Sequence, residues 1–232
     1  MDLVERVRRA WSVVFEVQDA FVPGTTRVVA IPASRIAPPG WCGLVALGDA
    51  CLIVTPDEDT ASRIGDLVQT VPAASVPDIG WSQVGARDVL GPAALYFTLT
   101  HPRIPAAGIT VERVAAGGRQ VVELISRASP DEAQEADVEE ATVTFATMVA
   151  GEAAAVVGYR IWPGNIAHFS ALTDPAHRRH GYGQAAAREA VAHALAAGLL
   201  PQWRARPLAS QRFAQSFGMQ RVGTQASIRI AS

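Results

Sequence analysis

The chain has 232 residues, of which 49% are hydrophobic and 18% charged, and its formal net charge at pH 7 is −2. This composition excludes a disordered tail, because enough apolar surface is present to form a core, and the slightly negative charge argues against nucleic acid as the main partner. The length suits one large domain or two small ones.

The sequence shows no sign of a membrane segment or a metal cluster. No apolar run approaches the roughly 18 residues needed to cross a bilayer, and the charged N-terminus lacks the apolar core of a signal peptide. The two cysteines, Cys42 and Cys51, form neither a Cys-x-x-Cys pair nor a zinc-ligand spacing. We therefore expect a cytoplasmic protein without a metal, in which both thiols are buried or idle.

The first half of the chain mixes helical and extended patterns. Its predicted elements are a helix over 3–17, a strand over 26–31, two short strands over 43–54, a helix over 61–71 and a strand over 93–99. Residues 101–108 are rich in Pro and Gly and are the best linker candidate. We therefore predict a smaller N-terminal α/β domain of unknown role over 1–104 and a second domain over 105–232.

The second half alternates strands and helices. It begins with a predicted strand over 109–115, a helix over 120–128 and an acidic solvated segment over 130–140. Strands over 142–150 and 153–161 follow, joined by a Gly151-Glu152 turn, and then a strand over 166–173 and a helix over 183–197. The chain continues with a strand over 201–206, a helix over 210–217 with Ser210 as its N-cap, and the last strands over 221–230. Together the two halves predict an α+β protein whose C-terminal sheet is mixed and mostly antiparallel.

The segment from Thr173 to Gln184 stands out because a strand leads into a basic, glycine-containing turn and then into an alanine-rich helix. The start of a helix offers unpaired backbone N–H groups and the positive end of the helix dipole. Glycines at 181 and 183 let an anion approach the backbone closely, and Arg178 and Arg179 add positive charge. The pattern predicts a phosphate or pyrophosphate site, although an ordinary strand-to-helix turn with exposed arginines would share parts of it.

The spacing Arg178-x-x-Gly181-x-Gly183 resembles the Arg/Gln-x-x-Gly-x-Gly/Ala signature of the GCN5-related N-acetyltransferases, the GNAT superfamily. The segment Thr173-Asp-Pro175 lies where that family often has Val-x-Pro, and 210–219 is similar to its later Asn-x-x-Ser…Gly-Phe segment. The resemblance covers roughly the second half of the chain. For the first half, it is compatible with a degenerate half of a tandem GNAT arrangement.

This resemblance implies acetyl-CoA, or another acyl-CoA, as the cosubstrate. The strand over 166–173 would pair with the pantetheine arm, one backbone N–H near 171–173 would polarise the thioester carbonyl, and the turn would hold the pyrophosphate. The implied coenzyme-binding residues are Ala171, Leu172, Thr173, Arg178, Arg179, His180, Gly181, Tyr182, Gly183 and Gln184. The acyl group would pass directly to an amine of a small molecule or a peptide.

Two residues are candidates for catalysis. His168 could act as the general base that removes a proton from an ammonium acceptor, or it could be a histidine buried for structural reasons. Ser210 could contact the coenzyme or a water near its sulfur, or could simply cap its helix. Glu152 and Glu123 are weaker candidates for the base.

The sequence departs from the family pattern at two positions. The tyrosine that usually protonates the leaving thiolate would fall near Ala214, and the expected asparagine is Pro207. A catalytically inactive acyl-CoA-binding or regulatory module on the same scaffold is therefore the alternative function. A Rossmann-type nucleotide turn is a weaker interpretation, because Ala186 takes the place of the last glycine. We expect a monomer or homodimer, with no nucleic-acid partner.

Overall fold

The computed structural model describes residues 2–102 and 108–231. Its α-helices are α1 (Leu3–Phe15), α2 (Glu58–Val68), α3 (Arg119–Arg127), α4 (Pro130–Ala136), α5 (Tyr182–Ala196) and α6 (Leu208–Ser216). Its strands are β1 (Thr26–Ala30), β2 (Cys42–Leu47), β3 (Ala50–Thr55), β4 (Ala86–Phe97), β5 (Val111–Val114), β6 (Val143–Val149), β7 (Glu152–Trp162), β8 (Ile166–Thr173), β9 (Leu200–Ala205) and β10 (Gln220–Ile230). The predicted α+β class, with a mixed and mostly antiparallel sheet arrangement, is confirmed.

The chain divides into two compact units. Unit 1 comprises Met1–Tyr96, Arg204–Gln211 and Arg221–Ser232, and unit 2 comprises Phe97–Trp203 and Arg212–Gln220. The predicted domain boundary between 104 and 105 lies outside the described residues and stays a prediction.

Unit 1 has the strand order β1-β3-β2-β10-β4. The β2 and β3 strands are buried along their whole length and form an antiparallel hairpin, which turns at Gly48 with a φ of +64°. On one face of this sheet, α2 contributes Ile64 and Val68 to a core cluster with residues of both strands. The last strand of the chain, β10, pairs antiparallel with β2, so chain segments far apart in sequence build this sheet.

Unit 2 has the strand order β9-β8-β7-β6-β5. The strands from β5 to β8 are antiparallel to their neighbours, whereas β8 and β9 run parallel. Because side chains alternate between the faces of a strand, each sheet face receives its own helical layer. The α3 helix packs on one face through Val121 and Leu124, next to Leu172 of β8.

The α5 helix covers the opposite face of the unit 2 sheet. It buries seven residues, five of them alanines, so the helix can lie close to the strands. Near its C-terminal end, His193 Nδ1 lies 2.8 Å from the hydroxyl of Tyr159 on β7. Gly198 follows the helix with a φ of +74°, as its place after the last turn predicts.

Three local predictions need correction. Hydrogen bonding of α6 begins with Gln211 N–H to Pro207 O, so Ser210 lies inside the first turn and is not the N-cap. The β6–β7 turn is formed by Ala150 and Gly151, both with positive φ, which places Glu152 in the strand. The strand predicted over 93–99 runs instead over Ala86–Phe97, and its start was missed because its exposed first half carries little apolar pattern. Among the described residues, no helix is long and apolar enough to span a membrane.

Gly158 on β7 offers a test of unit 2 packing. A Cβ at this position would lie 2.6 Å from Thr144 Cγ2 and 2.7 Å from Ala141 Cβ. We expect Gly158→Ala to lower the free energy of unfolding by about 1–3 kcal/mol in urea denaturation, because the added methyl overpacks a closed site. Gly117→Ala is the control, since nothing lies within 4 Å of its added Cβ; an equal loss in both variants would contradict the packing.

Candidate functional site

Strand β8 is paired unequally on its two sides. On one side it pairs with β7 over its whole length, from Ile166 to Thr173. On the other side, the parallel register with β9 covers only 166–168 within the described chain, and ends where His168 faces Gln202. The last five residues of β8 therefore border an opening between two strands that start as neighbours.

The main-chain groups of successive residues point to alternate sides of β8, and this alternation determines which of them face the opening. The N–H of Asp174, directly after β8, donates to Ala154 O on β7. In an antiparallel pair, the groups of successive residues point alternately to the two sides, so Leu172 also faces β7 while Ala171 and Thr173 face the opening. The side chain of Leu172 is buried in the core beside α3. Of the three predicted β8 residues, Ala171 and Thr173 thus direct their main-chain groups into the opening.

The turn after β8 is held by a carboxylate. Asp174 is 5% exposed, and its Oδ1 accepts the N–H of Ala176 at 2.9 Å. Its Oδ2 accepts Arg127 Nε at 2.6 Å, and Arg127 also donates Nη2 to Ala153 O at 2.7 Å. The end of α3, the start of β7 and the turn are therefore tied together through one guanidinium.

The environment of Asp174 favours its charged form. Burial acts to raise the pKa of this carboxyl, but the hydrogen bond from Ala176 N–H and the Arg127 guanidinium outweigh it, so the pKa lies below its ordinary value. The Asp174 carboxylate is therefore ionised at neutral pH and holds the turn in one conformation.

The start of α5 combines free amides with little side-chain bulk. Gly181 occupies the N-cap with a φ of +85°, and no side chain within residues 2–102 and 108–231 caps the helix. The first backbone N–H that closes the helix is that of Ala185, bonded to Gly181 O at 3.0 Å. The preceding amides, on Tyr182, Gly183 and Gln184, are those that a helix leaves for an external acceptor.

Gly183 allows the helix to approach β8 closely. A Cβ at this position would lie 2.9 Å from Thr173 Oγ1 and 3.4 Å from the ring of Phe213. The side chain of Gln184 is anchored, because its Nε2 donates to Ser216 Oγ at 2.7 Å. The predicted turn, helix start and strand end thus converge at one place in unit 2.

The basic residues of the turn are exposed, and one of them is paired. Arg178 donates Nη2 to Glu132 Oε1 on α4 at 2.7 Å, and this hydrogen bond, together with one from Ser129, lowers the pKa of Glu132. Arg179 adopts a φ of +68°, and His180 Nδ1 lies 2.8 Å from Arg178 O. The turn therefore presents positive charge at a helix start whose first turn has no acidic residue.

His168 lies at the closed end of the opening, on the β8 face opposite to Thr173. It is 7% exposed, stacks on Trp162 with ring centroids 4.1 Å apart, and its Nδ1 lies 2.9 Å from Gln202 Nε2. An amide nitrogen can only donate, so Nδ1 accepts and a neutral ring carries its hydrogen on Nε2. To accept a proton at Nε2, the ring would have to change tautomer while the Gln202 amide turned its oxygen toward Nδ1.

The remaining candidates belong to other helices and strands. Ser210 is half-buried in the first turn of α6, and Ala214, where the family tyrosine was expected, is fully buried. Glu152 begins β7 and lies 3.6 Å from Arg127 Nη1, whereas Glu123 pairs with Arg119 along α3. In the described ranges, no group of three His, Cys, Asp or Glu side chains could hold a metal ion.

Sequence reasoning missed Arg127, Asp174, Glu132 and Gln202. An aspartate directly before a proline at a strand end was a possible signal for Asp174. Its partner Arg127 lies 47 positions away and gave no local signal.

Comparison with known proteins agrees with this geometry. Residues 119–219 match the family model described as the acetyltransferase (GNAT) family. These residues form a GNAT acetyltransferase domain. The matched segment runs from the start of α3 to Met219 and contains the β8 opening, the turn and α5.

Several solved structures are similar to this chain, and one of them, with a TM-score above 0.5, shows a similar fold. The chain is similar to a GCN5-related N-acetyltransferase from Kribbella flavida, with a TM-score of 0.52, 14% identity, and coverage of 100% of this chain and 97% of the other. It is also similar to a GCN5-related N-acetyltransferase-like protein from Streptococcus suis (TM-score 0.49, 13% identity, coverage 98% and 99%) and to a GNAT-family acetyltransferase from Colwellia psychrerythraea (0.47, 12%, 66% and 62%). No curated protein matches the chain.

The Arg127–Asp174 pair predicts how stability depends on pH. Because the pKa of Asp174 is depressed in the folded state, its contribution is present above the unfolded pKa, near 3.8, and is lost as pH falls through the lower folded pKa. We expect Asp174→Asn to cost about 2–3 kcal/mol of unfolding free energy near pH 7, and the difference from wild type to shrink below about pH 4.

Urea denaturation across this pH range measures the effect. Glu152→Gln is the control, since that carboxylate is 65% exposed and its pairing with Arg127 should contribute less than about 1 kcal/mol. A cost for Asp174→Asn that is independent of pH would mean that the ion pair does not hold the turn.

Proposed function

We propose that the protein binds an acyl-CoA, with acetyl-CoA as the expected donor, and transfers the acyl group to an amine. The observation that carries the proposal is the junction in unit 2, where the free edge of β8 leads directly into an uncapped, glycine-lined helix start. A strand edge can pair with an amide-containing chain, and a helix start can hold a pyrophosphate. Pantetheine and the adjoining pyrophosphate of coenzyme A present these two chemistries in the same order.

In this proposal, the turn and the β8 edge bind different parts of the coenzyme. The amides of 179–184 hold the pyrophosphate, helped by the charges of Arg178 and Arg179. The exposed main chain of Ala171 and Thr173 pairs with the pantetheine amides, and a backbone N–H in this stretch stabilises the oxyanion that forms on the thioester carbonyl. Leu172 supports the strand from the core, and His180 and Tyr182 border the turn.

The reaction itself is a direct transfer. The amine nitrogen attacks the thioester carbon, a tetrahedral oxyanion forms, and the C–S bond then breaks to release the thiolate of coenzyme A. The acceptor nitrogen loses a proton, for which His168 is the candidate base through Nε2 in the tautomer that donates Nδ1–H to Gln202. Ser210 remains a candidate contact near the sulfur. Holding both reactants together supplies much of the rate.

A second function is favoured by one specific observation. The position expected for the family tyrosine is held by Ala214, a fully buried alanine that has no hydroxyl to protonate the thiolate. A catalytically inactive acyl-CoA-binding or regulatory module would use the same turn and the same β8 edge without transferring the acyl group. A small-molecule amine and a peptide amine both remain possible acceptors for the enzyme.

Two glycines at opposite ends of α5 test coenzyme binding. Gly181 and Gly198 have φ values of +85° and +74°, so alanine strains both by a similar amount, about 1 kcal/mol. We expect Gly181→Ala to weaken coenzyme A binding in calorimetry by about tenfold, because its strain displaces the free amides, whereas Gly198→Ala should leave the affinity unchanged. Equal affinities in both variants would place the pyrophosphate elsewhere.

Release of free coenzyme A from acetyl-CoA, measured with a panel of small amines and peptides, tests catalysis. The transferase proposal predicts release that depends on the amine, and His168→Gln should lower kcat by about 100-fold while the KM for acetyl-CoA stays unchanged. Binding without release for every amine would instead support the inactive module. If wild type and His168→Gln release coenzyme A equally fast, another group is the base.

A further inference from the structure

Unit 1 contains a groove that is lined by none of the candidate site residues. It has a volume of about 580 Å³ and runs between β1 and α2. Strand β1 ends the sheet of unit 1, since it pairs only with β3 among the described strands. The groove is therefore bordered on one side by a sheet edge and on the other by a helix.

The free edge of β1 presents its main chain to this groove. Cys51 N–H donates to Thr25 O and Ile31 N–H donates to Thr55 O, so the odd-numbered residues of this stretch bond to β3. By alternation, the N–H and C=O groups of Thr26 and Val28 point away from the sheet. Both residues also line the groove, and the Oγ1 of Thr26 is buried without a hydrogen-bond partner among the described residues.

The opposite wall is formed by α2, where small side chains leave space for a ligand. Gly65 lies in this wall, and a Cβ added there would meet nothing within 4 Å. The 11 residues of α2 extend about 16 Å at 1.5 Å per residue. An extended peptide advances about 3.3 Å per residue, so about five residues match the length of the wall.

The charge of the residues that line the groove indicates which kind of peptide segment would bind there. Among the described residues that line the groove, Glu58 carries the one charge, and the other lining side chains are apolar or neutral. A lysine or arginine side chain near this end of α2 would meet a carboxylate, whereas an acidic side chain would be repelled.

We propose that this groove binds an extended, lysine- or arginine-containing peptide segment of a partner, which adds a strand to β1. Main-chain hydrogen bonds to Thr26 and Val28 supply affinity, and Glu58 selects the basic side chain. The site is independent of coenzyme binding, and its occupation does not require the proposed acyl transfer.

An array of capped hexapeptides composed of valine, threonine and lysine, with a matched set in which glutamate replaces lysine, tests this inference on the full-length chain. We expect alternating lysine peptides to bind, and to bind about tenfold more tightly than their glutamate counterparts. Glu58→Gln should abolish this preference, whereas the control Asp59→Asn, an exposed acid that does not line the groove, should preserve it.

Two further variants test the location. Val28→Pro removes an N–H that the sheet does not use, and Gly65→Leu fills the groove without a clash at its Cβ, so at least one of the two variants is expected to fold. Each should abolish peptide binding, while Gly65→Ala should keep it. The proposal is overturned if no lysine hexapeptide binds, or if Gly65→Leu, folded by circular dichroism, binds as wild type does. It is also overturned if wild type self-associates through this groove and Gly65→Leu does not, because a second copy would then be the occupant.

Discussion

The candidate site depends on the point at which β8 loses its second partner. Up to His168 the strand has neighbours on both sides, and beyond it the main chain of Ala171 and Thr173 faces an opening. An exposed strand edge in the middle of a domain leaves polar groups without partners, which is costly unless water or a ligand satisfies them. We propose that the same feature that weakens the sheet provides the place where an amide-bearing ligand pairs with β8.

The rest of unit 2 keeps this opening in one shape. The full pairing with β7 supports β8 from one side, and the Arg127–Asp174 ion pair fixes the turn that follows. The alanine-rich face of α5 and Gly183 let the helix start lie directly against Thr173. Packed helices and strands thus surround the stretch of β8 main chain that faces the opening, an arrangement that would suit the preorganised binding site proposed here.

The bounds of helices and strands were predictable where neighbouring residues in the sequence mark them. The bounds of β8 agree residue for residue with the apolar run 166–173, and α5 begins one residue before its predicted start, because glycines and apolar periodicity mark both elements. The GNAT resemblance of the motif Arg178-x-x-Gly181-x-Gly183 is confirmed by the family match. The roles of His168 and Ser210 stay predictions, since both depend on a bound substrate.

The missed features are contacts between distant parts of the chain. Arg127 and Asp174 lie 47 positions apart, Arg178 and Glu132 lie 46 apart, and His168 and Gln202 lie 34 apart. No periodicity marks such pairs, because they follow from how helices and strands pack. The pairing of β10 with β2 and the groove beside β1 were hidden for the same reason.

We propose that coenzyme A occupies the edge of β8 and the start of α5. Backbone ¹H–¹⁵N spectra of the chain, titrated with coenzyme A, test it most directly. If coenzyme A binds there, we expect the largest changes in amide chemical shift at Ala171, Thr173, Gly183 and Gln184, and no change in the amides of β1 and α2. Saturable binding that leaves these four amides unshifted, or shifts confined to other parts of the chain, would contradict it.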